Sequence, residues 1–95
     1  MPASEFVFSE EKDRLLKATR GVGFKDIIGY IEAGGLLDVI DHPEQKKYPG
    51  QKIYVVDVGG YVWLVPHRYS EGQIVLKTAF PSRKATKAYV NERKK

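Results

Sequence analysis

Cysteine is absent and histidine is scarce: the chain carries only His42 and His67. Without thiols there is no disulfide framework and no thiolate nucleophile, and a reducing compartment suits the chain. Two imidazoles and scattered carboxylates make a poor ligand set for zinc, so no metal is expected. No apolar run approaches the roughly 20 residues that a membrane helix needs. Met1 to Phe8 shows no basic stretch followed by a long apolar segment, so no secretion signal is expected and the cytoplasm is the expected location. The motifs GxSxG, GK[ST], HExxH and GxGxxG are all missing, which removes the common esterase, phosphate-loop, zinc-protease and dinucleotide sites, and no cofactor is expected. Gly21-Val22-Gly23 lacks a third glycine and follows a helix, not a strand. Asp38 and Asp41 lie on one short strand without a paired-acid geometry, which disfavours metal-dependent hydrolysis.

What is present suits one folded unit. Ninety-five residues, 42% apolar and 12% aromatic, suffice for a single domain spanning 1–95 with one modest core. The net charge of +4 is unevenly placed. Residues 82–95 hold six cations against one anion, whereas the first 81 hold ten cations and eleven anions. A basic terminus of this kind either solubilises the chain or attracts a polyanion or an acidic partner.

Ser9 before Glu10, Glu11 and Asp13 predicts a capped helix N-terminus, with Leu15 and Leu16 as its apolar contact and an end near Thr19. Gly21 and Gly23 break it. Phe24, Ile27, Ile28 and Ile31 recur at helical spacing, and Gly34-Gly35 supplies the stop. The period then changes. Leu36 to Ile40 reads as a short strand and Asp41 to Gly50 as a polar loop. Lys52 to Val58 and Tyr61 to His67 form a hairpin about Gly59-Gly60, Ile74 to Phe80 reads as a further strand, and Pro81-Ser82 opens a last helix running to about Asn91. Ala85, Ala88 and Tyr89 are its expected packing positions. The fold class is α+β: two N-terminal helices, an antiparallel β-meander of about four strands, and a C-terminal helix.

The two-glycine turn sets Val58 opposite Tyr61, Val56 opposite Trp63, Tyr54 opposite Val65 and Lys52 opposite His67, all on one face of the sheet. The other face carries Ile53, Val55, Val62, Leu64 and Pro66, with Asp57 as the exception. This plain aliphatic face is expected to receive the helices. On the first face, Tyr54, Tyr61 and Trp63 are platforms for unpaired bases, with Lys52 and His67 meeting backbone charge, or else the face packs under the last helix and Trp63 and Tyr54 are core residues. Lys52, His67 and Arg68 lie near strand ends, where exposure is expected, and Lys77 alternates away from Ile74 and Leu76.

Three groups carry candidate chemistry. Arg83 and Lys84 fall in the first turn of the last helix, where cations oppose the helix dipole by up to about 1 kcal/mol each. A phosphate there would reverse the sign, drawing together the helix end, the Ser82 hydroxyl, the Arg83 fork and the Lys84 charge. The other arrangement turns both cations to solvent or pairs one with a carboxylate such as Asp57. The second group is the aromatic and basic sheet face. The third is the segment Asp41-His42-Pro43-Glu44-Gln45-Lys46-Lys47-Tyr48, whose imidazole, ammonium and phenol groups suit cleavage of RNA by its own 2′-hydroxyl.

In order, Phe8-Ser9-x-x-Lys12, Gly21-Val22-Gly23-Phe24-Lys25-Asp26, the meander, and Pro81-Ser82-Arg83-Lys84-Ala85-Thr86-Lys87-x-Tyr89 resemble the BrnT family of RelE-like ribonuclease toxins from type II toxin–antitoxin systems. The resemblance runs from about Phe6 to Tyr89 and is most specific in the closing Ser-Arg-Lys-Ala-Thr-Lys run. It implies a compact sheet flanked by helices and metal-independent RNA cleavage. It also implies a separately encoded antitoxin, typically a ribbon–helix–helix DNA-binding protein, as partner. The closing arginine motif falls on Arg83 and Lys84. Family members commonly have Lys-His-Gly before the second helix, whereas here Arg20 stands where that histidine would be and is a poor proton-transfer group. The expected site therefore has Arg83 and Lys84 holding the scissile phosphate, Arg20 assisting, and His67 or His42 transferring protons. Lys52, Tyr54, Arg68, Lys77, Ser82 and Lys87 would bind the RNA around it. The competing expectation is a basic module that binds nucleic acid or an acidic protein without cleaving.

Overall fold

The computed structural model describes residues 5–91. Glu92, Arg93, Lys94 and Lys95 of the terminal basic block lie outside the described residues. The described residues are α+β: three helices and a mixed sheet of six strands. Strand β1 (Glu5–Val7) leads into helix α1 (Glu10–Arg20) and helix α2 (Phe24–Tyr30), which widens into a π turn at Ile31–Gly35. Then come β2 (Leu36–Asp41), β3 (Gln51–Val58), β4 (Tyr61–Ser70), β5 (Gln73–Leu76) and β6 (Phe80–Pro81). Helix α3 (Arg83–Thr86) follows and also widens, over Lys87–Asn91.

The local signals act as their chemistry requires. The Ser9 hydroxyl accepts from the Lys12 N–H at 3.2 Å, and Gly21 ends α1 at φ 79°, a conformation that favours glycine. Helix α2 is capped from outside. The buried Asp13 carboxylate accepts from the Phe24 N–H at 2.7 Å, and Asp26 accepts from the Gly23 N–H at 3.0 Å. A Cβ at Gly23 would lie 2.6 Å from the Asp13 oxygen, so only glycine lets α1 approach this closely. Of the two leucines expected to seat α1, Leu16 is buried and Leu15 is 61% exposed.

The sheet runs β1-β5-β4-β3-β2, with β6 also paired to β4. Lys52 faces His67, Tyr54 faces Val65, Val56 faces Trp63 and Val58 faces Tyr61, the register expected from the Gly59-Gly60 turn. Both of those glycines have positive φ, and Asp57 accepts from the Gly60 N–H at 2.7 Å. The expected strand from Ile74 to Phe80 is broken. Its ladder with β4 ends at Leu76, the Lys77 N–H still donates to the Pro66 carbonyl at 2.9 Å, and the chain then departs and rejoins β4 at Phe80 and Pro81. Strand β1, not anticipated from the sequence, lies parallel to β5 with Phe6 beside Ile74, so the sheet is mixed and not purely antiparallel.

The helices are divided between both faces of the sheet, which corrects the expectation that the aliphatic face receives them. Leu16 of α1 and Phe24 and Ile27 of α2 pack with Val56, Val58, Trp63 and Val65, on the face that bears Trp63 and His67. Trp63 is thus a core residue. The opposite face is crossed by the last helix: the Tyr89 hydroxyl donates to Asp38 at 2.9 Å, and Asp38 stands beside Val55 on the neighbouring strand. Both faces of β3 and β4 are therefore apolar for the same reason. The anchor of the last helix is Thr86, not Ala88, which is exposed. The Thr86 hydroxyl accepts from the Val62 N–H at 2.8 Å and donates to the Ser82 carbonyl at 2.7 Å.

Candidate functional site

A cleft of about 450 Å³ opens on the sheet face that the last helix shares. Its floor is Ile53, Leu64 and Pro66, and one wall is the segment from Lys77 to Phe80. The facing wall is the loop from His42 to Gln51, and Lys12 closes one side. Phe80, on that wall, leads through Pro81 and Ser82 into the basic helix start at Arg83.

That loop is a built structure. The Gln45 carboxamide donates to the carbonyls of His42 and Gln51 at 2.9 and 3.0 Å and accepts from the Gly50 N–H at 3.2 Å. The His42 N–H donates to the Gln51 carbonyl at 3.1 Å, and the Tyr48 N–H to the Glu44 carbonyl at 2.9 Å. One polar side chain thus ties the two ends of the loop together. The His42 ring packs on the Tyr48 ring with centroids 4.5 Å apart, and the Lys47 ammonium lies 5.7 Å from the Tyr48 ring, within cation–π reach. The Glu44 N–H donates to His42 Nδ1 at 3.0 Å. In the neutral ring, Nε2 therefore carries the proton and is a donor.

The predicted site residues fall into four places. His42 and Lys77 both line the cleft, joined by Lys12 and Tyr48. Among the described residues, neither Lys12 nor Lys77 makes an ion pair; the Lys12 ammonium donates to the Lys77 carbonyl at 2.9 Å. Arg83, Lys84 and Lys87 form a second group, exposed on the last helix and without an ion pair among the described residues. Asp57 is held by its own turn. Ser82 is engaged in the fold: its hydroxyl accepts from the Ala85 N–H at 3.1 Å and its N–H donates to the Val62 carbonyl at 2.9 Å.

The third group sits on the other sheet face. Tyr54 and His67 stack with centroids 3.6 Å apart and planes 11° from parallel. Lys52 pairs with Asp41 at 2.7 Å. Although near a strand end, His67 is buried at 5% exposure, and its Nδ1–H donates to the Val65 carbonyl at 3.1 Å. Arg20, the fourth place, is exposed in the last turn of α1, in the helix layer across the sheet from Arg83. Arg68 is exposed on β4, beside Gln51. The residues assigned to catalysis from sequence are thus not all gathered at one point. Tyr48 belongs to the polar segment of the third candidate group, whereas Lys12 was not anticipated as a site residue. The signal for Lys12 is its position one helical turn before the buried Leu16, which brings α1 to the sheet edge.

Burial pushes the His67 imidazole below its ordinary value of 6.5, and the nearby Lys52 charge adds to this, against a smaller opposing effect of the Val65 carbonyl. The unfolded chain therefore takes up this proton before the folded one does. The stabilisation is complete above about pH 6.5 and is lost as pH falls from there through the lowered folded value. The urea midpoint is expected to be lower at pH 5.5 than at pH 7.5, and His67→Gln should remove much of that difference. Equal midpoints for the parent chain at the two pH values would contradict the assignment.

Comparison with protein-family models, with curated proteins and with solved structures finds no match to this chain.

Proposed function

We propose that this chain acts on RNA, as a metal-independent endoribonuclease of the toxin kind, through the face that carries the cleft and the last helix. The observation behind this reading is a donor-lined cleft and an exposed row of cations on the same side of the sheet, Phe80 of the cleft standing three residues before Arg83. A strand of RNA needs both: rings and apolar surface for its bases, and ammonium and guanidinium groups for its phosphates. Arg83 and Lys84 hold the phosphate backbone beside the cleft. His42, the better placed histidine because His67 is buried in a stack, donates its Nε2–H to the oxygen on which negative charge grows. The family's finer layout, with two helices before a four-strand meander, belongs to this proposal, as does a ribbon–helix–helix antitoxin covering the basic surface.

The test is cleavage of RNA, alone and on ribosomes, by the purified chain with EDTA present. Arg83→Ala is expected to lower the rate by about 10-fold or more, the loss of one charge-assisted contact. Undiminished cleavage by that variant would remove Arg83 from the site, and no cleavage in either setting would remove the ribonuclease.

One observation favours a second reading, binding without cleavage. With Nδ1 occupied by the Glu44 N–H and Nε2 protonated, the resting His42 ring has no free lone pair to take the 2′-hydroxyl proton. RNA affinity that falls steeply with salt, with no cleavage, is the result expected of that reading.

A further inference from the structure

The cleft is narrower in its demands than a track for a nucleic-acid backbone. At about 450 Å³ it falls within the roughly 300–1,000 Å³ typical of small-ligand pockets. Its floor is aliphatic, its outer wall ends in the His42–Tyr48 ring pair, and Lys12 and Lys77, neither with a carboxylate partner among the described residues, line its side. A purely apolar guest would leave those charges unanswered, and a bare phosphate would leave the floor and rings uncovered. The guest that satisfies both is a flat ring joined to an anion. The wall itself is held before any guest arrives, because the three Gln45 hydrogen bonds close the loop onto the start of β3.

We propose that the cleft seats a single nucleotide, its base between the Tyr48 wall and the Leu64 floor and its phosphate against Lys12 and Lys77. This rests on the reading of the chain as one that acts on RNA, and it adds that one base leaves the stack of its neighbours to enter the protein. The Gln45 carboxamide is the positioning residue of the site: it touches no nucleotide and fixes the wall that does.

The experiment is an NMR titration of the full chain with adenosine, guanosine, cytidine and uridine 3′-monophosphates, with inorganic phosphate and a phenylalanine-containing acidic peptide as controls. At least one nucleotide is expected to saturate, with amide shifts concentrated at residues 42–51 and 77–80, and inorganic phosphate is expected to bind at least about tenfold more weakly. Lys77→Ala, an alteration away from the core, should weaken the nucleotide about tenfold without altering the remaining spectrum. Gln45→Ala should weaken it and also broaden the loop amides, whereas a nucleotide bound elsewhere would not respond. The proposal is overturned by nucleotide shifts that map outside the cleft, by phosphate binding as tightly as the nucleotides, or by a peptide that binds tighter than any nucleotide. If no mononucleotide binds while single-stranded RNA still does, the cleft assignment falls and the RNA reading stands. If RNA also fails to bind, both fall.

Discussion

Replacing His42 by alanine is expected to lower RNA cleavage by about 10²–10³-fold, the effect of deleting one donor to a developing oxyanion. The fold should not change, because His42 is half-buried in a surface loop and its ring contacts Tyr48, not the central core. The decisive comparison is with His67→Ala. That change removes a stacked, buried ring and is expected to act on stability first, with cleavage measured on the folded fraction little altered. Rates at matched folded concentrations separate the two histidines. If His67→Ala abolishes turnover in well-folded protein while His42→Ala does not, the chemistry lies on the opposite face of the sheet and the cleft is not its site.

Asp13→Ala is expected to cost about 1–3 kcal/mol of stability, because it strands a buried donor. Asp13 is 9% exposed, and its carboxylate accepts from the Phe24 N–H at 2.7 Å and, at 3.4 Å, from that of Lys25. Removing it leaves the first turn of α2 uncapped at the point where Phe24, wholly buried, enters the core. For a chain of this size the thermal midpoint should fall by roughly 4–8 °C per kcal/mol. Asp13→Asn keeps an acceptor oxygen and should lose less. A midpoint for Asp13→Ala within about 2 °C of the parent would show that water replaces the carboxylate there.

How far these features were legible in the sequence depends on the range of the interaction behind each. The hairpin register followed from Gly59-Gly60, since a two-residue turn leaves one way to pair the strands. The second helix followed from the spacing of Phe24, Ile27, Ile28 and Ile31. Sidedness did not follow. Val55 and Val62 are as deeply buried as Val56 and Val65, so alternation gives no contrast by which to choose a face for α1 and α2. Strand β1 is only Glu5–Val7, and its partners are some seventy positions away at Gln73 to Val75, beyond any local pattern.

The candidate site shows the same division. His42 and Tyr48 were visible as useful groups in a polar segment, but not that Gln45 fastens that segment down, because a glutamine in a loop carries no sign of what its amide will meet. Asp13 read as one more acid in a first turn, and its reach to the next helix depends on the bend at Gly21 to Gly23. The Ser82-Arg83-Lys84 start was visible as a basic helix entry. That the Ser82 hydroxyl serves Ala85 was not, and this leaves the cations to act from the surface.

The parallel pairing of β1 with β5 sets an order on assembly. A ribosome releases Glu5 long before Gln73, so the first strand waits without neighbours while most of the domain is made. Closing so large a loop is entropically slow. Until Gln73 to Val75 have been made, the backbone of Glu5 to Val7 has no strand to pair with, and a partner or chaperone that acts early would find an open edge there.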